Sequence, residues 1–359
     1  MPVFNGAEYL VEAIESVLDQ SFREFELLLI NDGSTDRTGE IMDQYATRDP
    51  RVIVHHQENR GLVACLNHGF EVSNGEFIAR MDGDDISLPE RFQAQVEFLD
   101  QHPDVGVCGT GHIAFGEGQQ PVVRVPTFTD HDHLACHIMF RCCFIHPDVM
   151  LRRIDFVKNG LFYDPIAAHV EDYDLWVRAV KYVKFAKLRK PLLKHRTHIA
   201  QVTQRHRPII HENVKLIHSR QLAILGLNPT NAELETHVAL ANLNDVIADA
   251  TFLKKVDNWF RKLEAANSQS GLHARDVMAS VLAQEWWFVC GFATRKGIRA
   301  AVTYFRSPFS KKPYARKGMR ASILLASVLR KPVSEVGPIV DTWARRVKHR
   351  RSEQVQIIE

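Results

Sequence analysis

The stretch Glu76-Phe77-Ile78-Ala79-Arg80-Met81-Asp82-Gly83-Asp84-Asp85 decides how the rest of the chain is interpreted. Its largely apolar run, residues 77–81, predicts a short buried strand, and three carboxylates around one glycine follow it directly. Ligands of open α/β sheets bind beyond the carboxyl ends of the strands, so a site belongs here. Carboxylates this close together repel one another unless a cation lies between them. The stretch therefore predicts a site for a hard divalent cation, Mn²⁺ or Mg²⁺, with a solvated acidic turn as the alternative.

Strands and helices alternate at short spacing around this stretch, which predicts a parallel, doubly wound α/β sheet. The predicted strands lie at residues 25–30, 52–55, 77–81 and 105–108. The predicted helices lie at residues 7–20, 61–73 and 88–101, with one more from the turn at residues 31–36 to about residue 49. The pattern loosens between residues 111 and 147, and two short strands are predicted at residues 184–188 and 191–195. After about residue 205 the pattern predicts helices only, one of them over residues 232–249. We therefore expect an α/β domain over residues 1–204, a helical extension over 205–290 and a basic helical tail over 291–359.

The beginning of the sequence lacks the first strand that such a sheet needs. Pro2 lies where that strand would already be ending. Because a central strand is costly to omit, we expect that about ten residues precede Met1 in the complete protein.

Composition is that of an ordinary soluble protein, with 45% hydrophobic and 25% charged residues in 359. No apolar run is long enough to span a membrane, and the six cysteines include no C-x-x-C pair, so reduced thiols in the cytoplasm are expected. Residues 291–351 carry 16 Lys and Arg against two acidic residues, a balance of +14 in a chain whose net charge is +2. This basic segment is interleaved with aromatic and aliphatic residues and predicts contact with an anionic membrane surface. The alternative is a solvated helical face packed on the body.

Five motifs, taken in order, resemble the signatures of family 2 glycosyltransferases, which have the GT-A fold and invert the anomeric configuration. They are Pro2-Val3-Phe4-Asn5, residues 31–36 (Asn-Asp-Gly-Ser-Thr-Asp), residues 59–62 (Asn-Arg-Gly-Leu), residues 82–85 (Asp-Gly-Asp-Asp) and Glu171-Asp172. The resemblance covers residues 1 to about 204. Residues 88–92 and His146-Pro147 add motifs seen in many members that build bacterial surface polysaccharides. The resemblance implies a GT-A-type mixed sheet flanked by helices.

The resemblance also implies a nucleotide site. Asp32 is similar to the carboxylate that accepts a hydrogen bond from the uracil imide, although it could instead cap the helix that follows it. Phe4 would stack on the base, and Pro2 would line the same wall. Arg60 would lie near the diphosphate, and Asp82 would approach the ribose and the metal.

Metal binding and catalysis are assigned in the same way. The resemblance makes Asp84 and Asp82 ligands of a divalent ion, and His198 a further ligand or a hydrogen-bond partner of the diphosphate. Asp172 would be the general base, and Glu171 would support it or bind acceptor hydroxyls. An acidic pair at a helix N-terminus can also be purely stabilising.

The remaining polar residues of these motifs have less specific roles. Asp85 is expected to cap the helix after the acidic turn. His146 either shapes an acceptor pocket or is an ordinary packed histidine.

The sequence as a whole predicts a cytoplasmic hexosyltransferase, either free or peripheral on the inner face of the plasma membrane. It would use a UDP-hexose or UDP-N-acetylhexosamine and a glycan acceptor, which we expect to be lipid-linked, in bacterial envelope polysaccharide synthesis. Two alternatives remain open: a glycan-binding or scaffold protein of the same fold with impaired turnover, and an aspartyl-phosphate phosphatase. No nucleic-acid partner is expected, because no recognition motif accompanies the basic charge.

Overall fold

The computed structural model describes residues 1–197, 206–243, 248–310 and 317–331. These residues form two compact units. The first contains Met1–Ile138 and Cys142–Ile217, and the second contains Met139–Arg141 and the described residues from His218 onward.

The first unit begins with a three-stranded parallel sheet and its helices. The strands are β1 (Pro2–Val3), β2 (Leu27–Asp32) and β3 (Val52–Gln57), and the helices are α1 (Ala7–Leu18), α2 (Thr38–Arg48) and α3 (Leu62–Val72). Helix α1 buries Leu10, Ala13, Ile14 and Val17, the spacing of a single apolar face. The helices predicted here and the strands at residues 25–30 and 52–55 are thus present with small shifts of their ends.

β1 has only two residues, and it lies where the end of a first strand is expected. Pro2 and Val3 pair in parallel with Ile30 and Asn31 of β2. The amino group of Met1 donates a hydrogen bond of 2.8 Å to the carbonyl of Leu28, which continues the ladder by one residue.

A second, mixed sheet holds the acidic turn. Its strands are β4 (Phe77–Ala79), β5 (Ile86–Ser87), β6 (Val105–Gly116), β7 (Gln119–Arg124), β8 (Met150–Arg152) and β9 (Lys184–Arg196), and its helices are α4 (Arg91–Gln101), α5 (His131–His137), α6 (Arg153–Lys158) and α7 (Glu171–Ala179). The order is β4-β8-β6-β9-β5, with β7 paired to β6, and only β6 and β9 run parallel.

The parallel sheet predicted from strand–helix alternation is wrong for these strands, whereas the mixed sheet flanked by helices that the resemblance implies, and the helical C-terminal region, are confirmed. Strand–helix alternation implies parallel neighbours only where a helix crosses over between them. β8 follows a long irregular connection instead, and it enters antiparallel between β4 and β6. The two short strands predicted at residues 184–188 and 191–195 form one strand, β9, because Pro191 lies at an irregularity of its pairing with β6 rather than at a break.

The second unit is helical wherever the structure describes it. Its helices are α8 (Arg207–Ile224, which begins in the first unit), α9 (Asn231–Ala241), α10 (Ala250–Ser270), α11 (Arg275–Ala293), α12 (Arg299–Arg306) and α13 (Lys317–Leu329). Phe260 packs edge-on against Trp286 and Phe309, with ring centroids 6.3 and 5.6 Å apart. None of the helices in the described residues is long and apolar enough to cross a membrane.

One predicted helix of this unit, residues 232–249, is wrong at its C-terminal end. α9 ends at Ala241, and Asp249 is the N-cap of α10, where its side chain accepts a hydrogen bond of 2.8 Å from the Phe252 amide. An aspartate at this point of an apolar pattern is a helix start signal, which periodicity alone does not register.

Candidate active site

The three carboxylates of the acidic turn lie together immediately after β4. Oxygen atoms of Asp82, Asp84 and Asp85 all lie within 4.8 Å of one another. A Cβ added at Gly83 would lie 3.0 Å from Cγ2 of Val3, a tight contact that the Val3 side chain would have to relieve by a small shift. The turn therefore packs directly against β1.

Asp85 does not cap the following helix, contrary to the sequence-based expectation. α4 begins at Arg91, six residues later, and Asp85 instead accepts a hydrogen bond of 2.8 Å from the Arg196 amide through Oδ1. Its side chain is buried, and Oδ2 has no hydrogen-bond partner. Burial raises the pKa of Asp85 to about 8, and the charges of Asp82 and Asp84 add to the rise. This carboxylate is thus protonated at neutral pH unless a cation compensates it.

Arg80, in the apolar run before the acidic turn, has no role predicted from the sequence. Its guanidinium is buried and forms an ion pair with Asp82. Its backbone is fixed on both sides, because its amide donates to the Val149 carbonyl at 3.0 Å and its carbonyl accepts from Nη2 of the fully buried Arg91 at 2.7 Å. The signal in the sequence is a single cation inside an apolar run directly before a carboxylate cluster.

Asp32 lies at the end of β2, and its carboxylate accepts three hydrogen bonds from the chain itself. Oδ1 accepts from the amide of Arg60 and from the side chain of Gln57, both at 2.8 Å, and Oδ2 accepts from the amide of Gly61 at 2.9 Å. Burial alone would raise the pKa of Asp32, but these bonds outweigh it and lower the pKa below its usual value. Asp32 therefore holds the loop before α3 rather than capping α2, and its contact with a uracil imide stays a prediction.

The other residues predicted to bind the nucleotide flank this carboxylate. The ring of Phe4 is 52% exposed, as a residue that stacks on a base must be before the ligand arrives. Its loop is fixed by a hydrogen bond of 2.9 Å from the Asn5 amide to Ser34 Oγ. Pro2 lies in β1, and the side chain of Arg60 is exposed. All three assignments stay predictions.

Glu171 and Asp172 begin α7, where the helix dipole favours ionised carboxylates. Asp172 Oδ1 accepts a hydrogen bond of 2.7 Å from the Tyr173 amide, and Oδ2 accepts from the thiol of Cys142 at 3.7 Å. Burial nevertheless raises the pKa of Asp172 above its usual value. Burial also raises the pKa of Glu171 to about 7, and the charge of Asp172 adds to this. The pair is therefore suited to exchange a proton near neutral pH.

Arg80 connects this acidic pair to the acidic turn. Its charge opposes the rise in the pKa of both Glu171 and Asp172, so it lies within electrostatic reach of them while it pairs with Asp82. The structure thus brings the predicted metal ligands and the predicted base to one buried cation, although the motifs are about ninety residues apart in the sequence.

Two further aromatic residues border the same region and were not predicted to act together. His146 Nε2 lies 2.8 Å from the hydroxyl of Tyr163. Burial lowers the pKa of His146 well below its usual value and raises that of Tyr163, so both groups are neutral. Asn67 holds the backbone of Tyr163 through two hydrogen bonds of 2.9 Å. No sequence spacing could have indicated this pair.

The predicted metal ligand His198 lies outside the described residues. Among those that are described, Asp82, Asp84 and Asp85 form a donor set of carboxylate oxygens, which Mn²⁺ and Mg²⁺ prefer. The buried, unpartnered Oδ2 of Asp85 is an observation that fits a cation here, because an uncompensated carboxylate is costly to bury.

Cation binding at this turn should release a proton. Because the pKa of Asp85 is about 8 without a cation, the group must ionise when a cation binds at pH 7, and affinity should rise with pH up to about 8. Calorimetry with Mn²⁺ and UDP in two buffers of different ionisation enthalpy should show release of about one proton. Asp85→Asn should abolish the buffer dependence. Equal heats in both buffers for the unmodified protein would contradict the prediction.

Comparison with known proteins finds relatives of the N-terminal part of the chain. Residues 1–159 match the family model described as glycosyl transferase family 2. EpsE of Bacillus subtilis (strain 168) is 36% identical over 182 residues, which are 50% of this chain. The amylovoran biosynthesis glycosyltransferase AmsE of Erwinia amylovora is 32% identical over 173 residues, which are 48% of this chain. The chain spans 64% of the length of each of these two relatives.

Solved structures show the same architecture. The crystal structure of S. aureus TarS residues 1–349, in complex with UDP-GlcNAc, superposes with a TM-score of 0.53. The match covers 96% of this chain and 90% of that structure at 16% sequence identity. At this identity the likeness shows the fold alone.

Proposed function

We propose that the chain is an inverting, metal-dependent glycosyltransferase of family 2, because residues 1–159 match the model of that family. It moves a sugar from a nucleotide-sugar donor to a hydroxyl of a glycan acceptor. The proposal rests on the position of Arg80 between the two acidic motifs. Its guanidinium pairs with Asp82 of the acidic turn, and its charge lowers the pKa of both Glu171 and Asp172. A single-step transfer needs the donor site and the base to lie close together, and a cation that acts on both supports this.

Asp172 is the proposed general base. An inverting transfer requires a base that takes the proton from the acceptor hydroxyl while the leaving group departs from the opposite face of the sugar. The Tyr173 amide and the Cys142 thiol orient the carboxylate, and its raised pKa increases its basicity. Glu171, with a pKa of about 7, supports the base or binds acceptor hydroxyls.

Asp82 and Asp84 are the proposed ligands of Mn²⁺ or Mg²⁺, with His198 as a further candidate. When bound there, the ion would act as a Lewis acid that stabilises negative charge on the departing nucleoside diphosphate. Arg80 holds Asp82 in place through its ion pair, so that this ligand does not have to be ordered when the donor binds.

The donor is proposed to be a UDP-hexose or UDP-N-acetylhexosamine. Asp32 and the exposed ring of Phe4 would select and stack the uracil, with Pro2 along the same wall and Arg60 near the diphosphate. The structure of TarS, which has the same fold, contains a donor of this kind, UDP-GlcNAc.

Polysaccharide biosynthesis is the proposed setting, because AmsE carries that role in its name and the resemblance to envelope enzymes extends through the His146-Pro147 motif. We propose a growing lipid-linked glycan as the acceptor. Such an acceptor would place the enzyme in the cytoplasm at the inner face of the plasma membrane.

A panel of UDP-, GDP- and dTDP-sugars with Mn²⁺ tests the proposal without knowledge of the acceptor, since water can replace it slowly. We expect release of nucleoside diphosphate from one donor, and loss of this release on chelation of the metal. Binding of a donor without any turnover would instead favour the glycan-binding or scaffold protein. Hydrolysis of phosphate monoesters, with no use of any nucleotide sugar, would favour the phosphatase.

A further inference from the structure

Helices α12 and α13 present one exposed surface of unusual composition. The exposed residues of each helix lie on one side of it, whereas the opposite sides bury Ala300, Tyr304, Ile323 and Ala326. Six of the exposed residues are spaced three or four positions apart, and we call them the basic apolar surface: Arg299, Val302, Arg306, Arg320, Leu324 and Val328. Ala321 and Leu329 are exposed beside them.

The two helices lie side by side in opposite directions within the second unit. At one end, the guanidinium of Arg320 lies 5.3 Å from the ring centroid of Phe305. At the other end, Thr294 Oγ1 donates a hydrogen bond of 2.7 Å to the carbonyl of Lys331. These two contacts hold the helices together, and each helix keeps one exposed side.

This surface combines exposed aliphatic side chains with arginines and lies in a segment without acidic residues. Val302, Leu324 and Val328 are 43%, 48% and 63% exposed. The 21-residue helix α10 of the same unit, which is described along its whole length, exposes no large aliphatic or aromatic side chain to a comparable degree. The sequence also has 11 Lys and Arg but no Asp or Glu from residue 286 to residue 334, so no acidic residue of that segment offsets its charge.

We infer that the basic apolar surface docks this protein onto an anionic phospholipid membrane. Arginines attract the negatively charged headgroups, and the aliphatic side chains between them can enter the boundary with the acyl chains. A surface that only met nucleic acid would gain little from exposed valine and leucine. The inference goes beyond the proposed glycosyl transfer and does not depend on it, because lipid binding can be measured without a nucleotide sugar.

The test uses point variants in the full chain, since α11 to α13 share their core with α10 and cannot be removed without exposing it. Sedimentation with vesicles of phosphatidylcholine and phosphatidylglycerol should bind the unmodified protein, and binding should weaken as salt is raised. The triple variant Arg299→Glu/Arg306→Glu/Arg320→Glu should lower the partition coefficient by about 100-fold or more, since each lost cation contributes about fivefold.

The matched control reverses three exposed basic residues of the first unit, Lys158→Glu/Lys181→Glu/Arg189→Glu, and gives the same change in net charge. It should retain binding to within a few-fold. A third variant, Val302→Ser/Leu324→Ser/Val328→Ser, keeps every charge and should also bind more weakly. Melting curves confirm that each variant is folded.

Three outcomes would overturn the inference. The unmodified protein could fail to bind these vesicles at low salt, which would leave the surface for an acidic protein or a second copy of the chain. The surface variant and the control could lose binding equally, which would mean that only net charge matters. The serine variant could bind as well as the unmodified protein, which would reduce the contact to simple adsorption by charge.

Discussion

Asp172→Asn should reduce sugar transfer by about 10²–10⁴-fold while donor and metal binding hardly change. The substitution preserves the size of the side chain, and the asparagine carbonyl can still accept the hydrogen bond that the Tyr173 amide now donates to Oδ1. The substitution removes the basic carboxylate, whose pKa is raised by desolvation. Steady-state rates for the donor identified by the panel, with donor affinity measured separately by calorimetry, give the two quantities.

Two neighbouring carboxylates provide the controls for this prediction. Glu171→Gln should cost less, because Glu171 only supports the base or holds the acceptor in our assignment. Asp174→Asn lies in the same first turn of α7, but that carboxylate is paired with Arg178 at 2.7 Å, so transfer should be retained. If Glu171→Gln abolishes transfer while Asp172→Asn remains active, the roles of the two residues are reversed. Equal losses in all three variants would indicate a general electrostatic effect.

Asp84→Ala should weaken Mn²⁺-dependent binding of UDP by about 100-fold or more and leave the fold intact. It removes one of the three carboxylates whose oxygens lie within 4.8 Å of one another, and it leaves the cation with Asp82, which also pairs with Arg80, and with the buried Asp85. Calorimetry with UDP, in the presence and absence of Mn²⁺, measures the loss.

The control for this variant is Asp132→Ala, which removes an exposed carboxylate on α5. It changes the net charge equally, and UDP binding should not change. Unaltered Mn²⁺-dependent binding in Asp84→Ala would refute the assignment of this residue to the metal.

Much of the fold could be predicted because local patterns determine it. The apolar face of α1 and the strand–helix alternation up to residue 101 are written in the periodicity of neighbouring residues. The direction of β8 cannot be predicted from local periodicity, because it depends on how a long irregular connection returns to the sheet. Likewise, the extent of α9 depends on a capping aspartate whose meaning is clear only when α10 is seen to begin after it.

The candidate site shows the same division. Its acidic residues were predictable, because motifs in a fixed order carry them. The environment of each acid was not, because it comes from distant parts of the chain: Asp85 binds the amide of Arg196, 111 residues away, and Asp172 meets Cys142, 30 residues away. Arg80 was visible in the sequence, but its role follows only from the ion pair with Asp82 and its proximity to α7.

The most direct test of the central claim is the position of Mn²⁺ in crystals of the protein grown with UDP and MnCl₂, located by its anomalous scattering. Our account predicts a single strong peak within bonding distance of a carboxylate oxygen of Asp84, beside Asp82, with the diphosphate of UDP on its other side. A well-ordered UDP with no anomalous peak at the acidic turn, or with Mn²⁺ bound elsewhere on the chain, would contradict it.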